Sequence, residues 1–185
     1  MQAWAMSNQA PINILITGRD RTVPITLQQR TSITPAQAWE FIMPIDLTRV
    51  FKPVAPFPGV AGVTNQTDTW DHPGPTRNPL FTDGSSADEQ LTECVEGASF
   101  AYQLTGFTNV LRHLAVGIRG EWTFTPDGTG TLVRWSYEFK PQPGRRLILA
   151  GPFKVLWLRW MRAALARCVQ AMEDDHAAGN IGPDR

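Results

Sequence analysis

Two alternating segments followed by one long helical stretch dominate the second half of the chain. In residues 118–124, apolar residues or glycine alternate with polar residues, and residues 133–139 alternate in the same way. A period of two is typical of strands that have one dry face and one wet face. Residues 126–130 (Pro-Asp-Gly-Thr-Gly) between them have the composition of a turn. The pattern predicts an antiparallel hairpin with one aromatic face.

The turn also predicts which residues of the hairpin lie opposite each other. With residues 126–130 as the turn, Trp122 is expected opposite Val133, and Glu121 opposite Arg134. The polar face of the hairpin then carries four charged residues: Arg119, Glu121, Arg134 and Glu138. The simplest interpretation of this face is a solvated surface with weak ion pairs. The alternative is the interface of a homodimer.

The stretch over residues 152–175 predicts a helix that covers the aromatic face of the hairpin. Its 24 residues would span about 36 Å at 1.5 Å per residue. The residues expected to face the sheet are Phe153, Trp157, Trp160 and Met161. An antiparallel sheet that grips a long terminal helix indicates a lined interior, and hence a container for a small molecule.

Length and charge restrict the classes of protein to consider. A chain of 185 residues can form one domain with a sizeable core, and residues 1–11 and 177–185 are expected to be its loosely ordered ends. Seventeen basic residues balance seventeen acidic ones, so no overall field favours nucleic acid, and no nucleic-acid partner is predicted. The basic residues of the last helix and its approach are interpreted as a solvated side, with contact to a membrane or a nucleic acid as the alternative. They are Arg145, Arg146, Lys154, Arg159, Arg162 and Arg167.

Compartment and cysteine chemistry follow from simple patterns. The first residues lack a basic region and a continuous apolar run, and no segment approaches the roughly 20 apolar residues of a membrane span. A cytoplasmic protein without an integral membrane segment is therefore expected. Cys94 and Cys168 lack metal-type spacing and are interpreted as small buried residues, with a single disulfide as the alternative.

The remaining elements complete an α+β order. Residues 12–17 are expected to form a short extra strand, and residues 23–30 form the first clear one. A helix begins with Thr34 as N-cap and Pro35 in its first turn, and a shorter helical turn covers residues 46–51. Four strands are predicted between residues 60 and 105, at about 62–70, on both sides of 82–85, and at 99–105. The predicted fold is a curved antiparallel sheet of about seven strands, wrapped around the C-terminal helix.

This order and several motifs resemble the START-like superfamily, whose fold is called helix-grip. The resemblance is strongest to the bacterial polyketide cyclase/dehydrase-like branch, SRPBCC, and it spans residues 23–175. The motifs lie at residues 32–39, 82–85 with 91–93, 100–106, 120–126 and 131–137. Members of the superfamily bind lipids, hormones and polyketides, so the resemblance implies a hydrophobic small-molecule ligand. The motifs are mainly strand, turn and core residues, and a fold does not by itself define a function.

The residues expected to form a ligand site are ten aromatic residues and one methionine. Large rings can fill a core completely or leave a cavity, and Gly106, Gly117 and Gly120 favour a cavity because they thin the sheet. Such rings supply affinity for a flat or lipid-like molecule. The candidates are Phe41, Trp70, Phe81, Phe100, Tyr102, Trp122, Trp135, Tyr137, Trp157, Trp160 and Met161.

Glu93 and Tyr102 are the candidates for catalysis. A tight turn near residues 96–97 would set Glu93 opposite Tyr102, so that a carboxyl and a phenol meet inside an apolar cavity. Burial would raise the pKa of Glu93 and suit it to proton transfer. The alternative is a slip of one residue, which leaves Glu93 in water and turns Thr92 and Cys94 inward.

The other polar motifs give weaker indications of a functional site. His113 lies near a strand end and is interpreted as a surface residue on strand parity. The pairs Asp71-His72 and Asp174-Asp175-His176 lack a third ligand at a suitable spacing, so no metal is predicted. No phosphate-binding or dinucleotide fingerprint is present, and no cofactor is predicted.

The function predicted first is binding of an apolar or aromatic small molecule between the sheet and the last helix. The alternative is a cofactor-free polyketide cyclase or dehydratase, in which Glu93 is the acid/base and Tyr102 a hydrogen-bond donor. A protein-binding module of the cochaperone kind is a third possibility with little support.

Overall fold

Seven antiparallel strands form one curved sheet in the computed structural model, which describes residues 11–181. They are β1 Val23–Thr31, β2 Val60–Thr64, β3 Thr76–Phe81, β4 Asp88–Val95, β5 Ser99–Thr105, β6 Ala115–Asp127 and β7 Gly130–Pro141. Their order across the sheet is β1-β7-β6-β5-β4-β3-β2. Most of the expected loose ends, at 1–11 and 177–185, lies outside the described residues. The α+β helix-grip prediction is confirmed.

The helices lie after β1 and at the end of the chain. They are α1 Pro35–Ile42, α2 Leu47–Val50, α3 Arg146–Ile148 and α4 Lys154–Ala177, and a 3₁₀ turn covers Val110–His113. Thr34 is the N-cap of α1, as predicted, and Asp46 caps α2 by accepting a hydrogen bond from the Thr48 backbone N–H. No helix in residues 11–181 is long and apolar enough to cross a membrane.

The last helix has its predicted length of 24 residues but begins two residues later than predicted. A π-helical turn, Leu149–Phe153, joins α3 to α4, and Gly151 departs there from helical geometry (φ −102°, ψ −110°). Pro152 therefore lies in the kink and not in the first turn of α4. One face of α4 is buried against the sheet through Trp157, Trp160, Met161, Ala164, Leu165, Cys168, Val169 and Met172.

The hairpin of β6 and β7 has a register two residues away from the predicted one. Asp127 pairs with Gly130, so only Gly128 and Thr129 form the turn, and Trp122 lies opposite Trp135 and not Val133. Glu121 correspondingly lies opposite Ser136 and not Arg134. Strands β6 and β7 therefore extend into residues 126–130, the predicted turn. A shift of two residues preserves the faces, so the aromatic side still points inward.

Two further strand predictions need correction. Residues 12–17 form no strand, because their backbone bonds to side chains: the Leu15 N–H donates to Gln103 Oε1 (3.2 Å), and Lys140 Nζ donates to the Leu15 carbonyl (3.0 Å). The strand predicted over residues 62–70 is β2, which ends at Thr64. Asn65 then takes a positive φ of 53° and starts a loop, in which Trp70 is buried.

The cysteines are both free thiols. Cys168 is buried on α4, as expected, whereas Cys94 is only half-buried and its thiol donates to the Asp71 carbonyl (3.2 Å). The disulfide alternative is therefore wrong, since the two residues lie on different elements without a bond.

Candidate functional site

A cavity of about 520 Å³ lies between the inner face of the sheet and α4. Strands β3 to β7 supply one wall, and α4 supplies the opposite wall through Trp157, Trp160 and Cys168. The segment from Ile42 to Val60 supplies further apolar lining. Most of the lining is apolar. The cavity therefore has the size and character of a small-molecule site, which is commonly 300–1,000 Å³ and mainly hydrophobic.

Eight of the eleven predicted ligand-site residues line this cavity: Trp70, Phe81, Phe100, Tyr102, Trp122, Tyr137, Trp157 and Trp160. Several of these rings also pack on one another, for example Trp157 on Trp160, with centroids 5.0 Å apart. Ring pairs at this spacing fix each other's orientation. The aromatic wall is thus built from mutually supported rings.

Three predicted residues lie outside the cavity lining. Trp135 and Met161 are completely buried behind it, and Trp135 stacks on Trp122 with centroids 4.8 Å apart. Phe41 is half-buried on the other side of α1, where the Arg49 guanidinium lies 5.6 Å from its ring centre. The inward positions are Ile42 and Met43 instead. A short helix next to a second short helix can bury two faces, and the sequence does not distinguish them.

The two tyrosines meet in the cavity wall. Trp135 Nε1 donates to the Tyr102 hydroxyl oxygen (3.2 Å), and the Tyr102 hydroxyl donates to the Tyr137 oxygen (3.1 Å). An indole N–H can only donate, so Tyr102 accepts from Trp135, and the geometry of the two phenols directs the Tyr102 hydrogen to Tyr137. No described residue accepts the hydrogen of Tyr137. This chain therefore ends in a phenol O–H that is free to donate to a molecule in the cavity.

Gly120 makes this arrangement sterically possible. It lies opposite Tyr102 on one side and opposite Tyr137 on the other. A Cβ at residue 120 would lie 2.4 Å from the Cζ atom of the Tyr102 ring. Tyr102 thus lies across a position where only glycine fits. The predicted thinning of the sheet at Gly120 therefore makes room for a neighbouring ring, not for a ligand.

Both phenols stay protonated over the ordinary pH range. Burial, and to a smaller extent the nearby Glu89 carboxylate, raise the pKa of Tyr102 to about 12. Burial also raises the pKa of Tyr137 well above its ordinary value, with a further contribution from Tyr102. Both hydroxyls therefore act as neutral hydrogen-bond groups.

A buried ion pair, Arg77 with Glu89, contributes charged groups to the cavity wall. Arg77 Nε donates to Glu89 Oε2 at 2.5 Å, and the two side chains are only 9% and 6% exposed. The guanidinium also lies 3.8 Å from the ring centre of Trp70, in a cation–π contact. Its Nη1 and Nη2 atoms donate to no described residue. The pair is neutral overall and leaves guanidinium N–H groups unused.

Sequence reasoning missed both members of this pair, although a signal for Glu89 was present. Leu91 is an apolar residue of a predicted strand, and alternation along the strand places Glu89 on the same face as Leu91. The structure confirms that Ala87, Glu89 and Leu91 are all buried. Arg77 follows a Pro/Gly-rich loop, and no local pattern indicates its burial.

Glu93 does not face the cavity, so the expected Glu93–Tyr102 pair is wrong. A bulge between Leu91 and Glu93 shifts the register, so that Leu91 lies opposite Tyr102 and Glu93 opposite Ala101. The Glu93 side chain is 61% exposed and accepts a hydrogen bond from Arg119 Nη2 (3.0 Å) on the outer face. In the alternative register, Thr92 and Cys94 were expected to turn inward. Both residues are only half-buried.

The other candidate groups offer little chemistry to the cavity. His113 is exposed, as expected, and accepts a hydrogen bond from Arg112 Nε (3.0 Å). Asp175 binds Arg49, and His72 Nδ1 lies 2.6 Å from Asp71 Oδ1. Within residues 11–181, no three His, Cys, Asp or Glu side chains are grouped so that they could hold a metal ion.

Two indole groups and one thiol of α4 complete the wall. The Nε1 atoms of Trp157 and Trp160 are buried and have no hydrogen-bond partner in residues 11–181. Burial raises the pKa of the Cys168 thiol to about 12, which leaves it protonated and unsuited to act as a nucleophile. The wall therefore offers hydrogen-bond donors and the buried Glu89 carboxylate in an aromatic surrounding, and Asp83, Ser85, Thr108 and Asn109 are the other polar residues of the lining.

Comparisons with known proteins agree with this architecture. A family model described as "Polyketide cyclase / dehydrase and lipid transport" matches residues 23–173. No curated protein matches the sequence.

Solved structures share the fold at low sequence identity. The crystal structure of Ara h 8.0201 aligns with a TM-score of 0.63 and 11% identity, covering 83% of this chain and 99% of that one. The protein XoxI from Bacillus cereus aligns with a TM-score of 0.58 and 16% identity, covering 82% and 96%. The protein CV1439 from Chromobacterium violaceum also aligns at 0.58, with 17% identity and coverage of 82% and 97%. Identities this low support the fold alone.

Proposed function

The chain belongs to the polyketide cyclase/dehydrase and lipid transport family, and on that premise we propose that it binds a neutral, largely aromatic small molecule in the cavity. The observation that carries the proposal is the void of about 520 Å³ between packed aromatic walls. A space of this size in a core is costly when it stays empty, because its lining forfeits dispersion contacts. A flat apolar ligand would restore those contacts.

The polar groups of the wall indicate which functional groups the ligand carries. The free hydrogen of Tyr137 and the unused N–H groups of Arg77 are donors, so a ligand oxygen can accept from them. The acceptors that suit them are ketone, quinone or phenol oxygens. Each such hydrogen bond contributes about 0.5–1.5 kcal/mol, or roughly 2- to 10-fold in affinity.

The ion pair also favours a ligand without net charge. Arg77 and Glu89 already compensate each other inside the wall. A ligand carboxylate would add a second buried negative charge close to Glu89, and a ligand cation would compete for it with Arg77. Either charge would have to leave water without a partner of its own, which is unfavourable.

A series of naphthalenes tests the proposal. We expect 2-acetylnaphthalene to quench the cavity tryptophans and to bind about 5-fold more tightly than naphthalene, while 2-naphthoate binds more weakly than both. In Tyr137→Phe, the ketone should lose part of its advantage over the hydrocarbon, because the N–H groups of Arg77 remain as donors. The matched control is Glu93→Gln, which alters only the outer face and should leave all affinities unchanged. Failure of all three compounds to bind would refute the proposal.

A second function is favoured by one observation, that the Glu89 carboxylate lines the same cavity as Tyr102 and Tyr137. In a cofactor-free cyclase or dehydratase, Glu89 and not Glu93 would take a proton from the carbon next to a ketone, and the enolate oxygen would accept from Tyr137. Exchange of the methyl hydrogens of 2-acetylnaphthalene in D₂O, followed by NMR, tests this step. Faster exchange with the wild type but not with folded Glu89→Gln supports an enzyme, whereas no acceleration supports binding alone.

A further inference from the structure

The C-terminal third of this neutral chain has a strong local charge imbalance. Residues 139–172 contain seven basic residues and no acidic one, although the whole chain has seventeen of each. Three of the seven are engaged or partly buried: Lys140 pairs with Asp20, Lys154 Nζ donates to the Pro24 carbonyl, and Arg167 is half-buried. The other four, Arg145, Arg146, Arg159 and Arg162, are exposed, and their side chains bind no group in residues 11–181.

Large aliphatic side chains are exposed in the same segment. Leu147 is 80% exposed and Val155 68% exposed, and Ile148 and Leu156 are exposed to 39% and 42%. Four such side chains within ten residues of sequence exceed the scattered apolar exposure of an ordinary surface. No other part of the described chain covers these four side chains. Their exposure therefore indicates a surface that contacts an apolar phase outside the protein.

The helical spacing places basic and apolar groups on one face of α4. Val155, Arg159 and Arg162 are related as i, i+4 and i+7, so their side chains follow one another along a single stripe. This stripe lies opposite the face that packs on the sheet. We propose that the exposed surface formed by residues 145–148, 155–156, 159 and 162, the basic-apolar surface, docks on a bilayer of anionic lipids.

The combination of side chains favours a bilayer over a nucleic acid. Aliphatic groups can enter the boundary between headgroups and acyl chains, while arginines remain among the lipid phosphates. Single-stranded nucleic acid is commonly held by exposed aromatic rings, and the aromatic residues of α4 are buried in the core. Exposed leucine and valine would have no role against a phosphate backbone.

The basic-apolar surface also adjoins the cavity. The cavity residue Phe57 packs on Phe153 and Trp157 at the start of α4, with ring centres 5.5 and 4.8 Å apart. Gln142, just before α3, donates to the Leu114 and Arg112 carbonyls and so holds the 3₁₀ turn with the cavity residue Val110. Docking would bring these two edges of the cavity to the lipid surface, where an apolar ligand is concentrated.

Sedimentation with vesicles tests the docking with the full chain. We expect binding to vesicles of 70% phosphatidylcholine and 30% phosphatidylglycerol, at least 10-fold weaker binding to pure phosphatidylcholine, and loss of binding between 0.1 and 0.5 M NaCl. Arg159→Ser/Arg162→Ser should weaken binding at least 10-fold. Leu147→Ser/Val155→Ser should weaken it as well, without changing its dependence on salt.

The matched control removes two positive charges elsewhere. Arg21 and Arg134 are exposed and lie outside the basic-apolar surface, so Arg21→Ser/Arg134→Ser should bind vesicles like the wild type. Equal loss in this control would mean that only net charge matters and would overturn the proposal. Binding to a DNA duplex that the aliphatic variant leaves intact, with no binding to vesicles, would identify a nucleic-acid surface instead and would also overturn it.

Discussion

The hydroxyls of Tyr102 and Tyr137 lie 3.1 Å apart, and Gly120 lies on the strand between them. The three residues form one row across β5, β6 and β7. Tyr102 and Tyr137 are the only two tyrosines of the chain. They can meet because Gly120, which lies between them, has no side chain. The register of the sheet therefore decides which hydroxyl groups meet in the cavity wall.

The two tyrosines should resist ionisation in the folded protein. Burial raises the pKa of Tyr102 to about 12 and that of Tyr137 well above its ordinary value, so little tyrosinate absorbance at 295 nm should appear below about pH 11. The protein in urea should titrate near pH 10. In Tyr137→Phe, the single remaining tyrosine should still titrate near pH 12, because burial is the main cause. Titration of the native protein near pH 10 would contradict the buried pair.

The same shift makes stability depend on alkaline pH. The folded state holds the phenol protons more tightly than the unfolded state, so this contribution is complete below about pH 10 and is lost as the pH rises towards 12. For Tyr102 the loss is on the order of 2–3 kcal/mol. Urea unfolding at pH 8.5, 10 and 11.5 should show a falling midpoint, and Tyr102→Phe should flatten the decline. An unchanged midpoint would rule out the linkage.

Gly120→Ala should destabilise the protein by about 1–3 kcal/mol, because the added Cβ would lie 2.4 Å from a rigid ring. The matched control is Gly62→Ala in β2, where a Cβ meets no atom within 4 Å and the free energy of unfolding should change by less than about 1 kcal/mol. Urea unfolding measures both variants. Equal effects would show that Tyr102 does not occupy the space above Gly120.

Arg77→Met should lower the free energy of unfolding by about 3–5 kcal/mol, because it leaves the Glu89 carboxylate buried without its partner. The double variant Arg77→Met/Glu89→Leu should regain most of this loss, because it removes both charges. Chemical denaturation of the two variants and the wild type measures the coupling. A double variant as unstable as the single one would mean that the pair has another structural role.

Glu93→Gln should change the free energy of unfolding by less than about 0.5 kcal/mol, because its ion pair with Arg119 is largely exposed and Arg119 also binds Glu121. Glu89→Gln should be clearly more destabilising, because its side chain is only 6% exposed. Side-by-side thermal melts compare the two substitutions of the same type. The reverse order would place Glu93, and not Glu89, in the cavity wall.

Local periodicity was sufficient for most of the elements and for the inward faces of β5, β6 and β7. The strand predicted over residues 99–105 coincides with β5, and the last helix has its predicted 24 residues. The aromatic positions of β5, β6 and β7 point inward as expected, because alternation along a strand is a property of the strand itself. Eight of the eleven candidate residues line the cavity, and their role in ligand binding stays a prediction.

The wrong predictions concern positions where contact with a neighbouring segment decides which face of a strand or helix is buried. Glu93 faces water because a bulge in β4 shifts its pairing with β5, and the hairpin register follows from a turn of two residues. Phe41 faces Arg49 because α2 packs beside α1. None of these contacts leaves a trace in the spacing of apolar residues.

The sequence by itself determined a sheet with an aromatic side and a terminal helix that covers it, and hence a lined interior. It could do so because buried residues recur along a strand or a helix with the period of that element. Only the tertiary structure decided that Arg77 and Glu89 are the ionic pair of the cavity and that Tyr137 offers the free hydroxyl. The reason is physical: which polar groups pair inside a core depends on distances between segments far apart in the chain, and these distances exist only after folding.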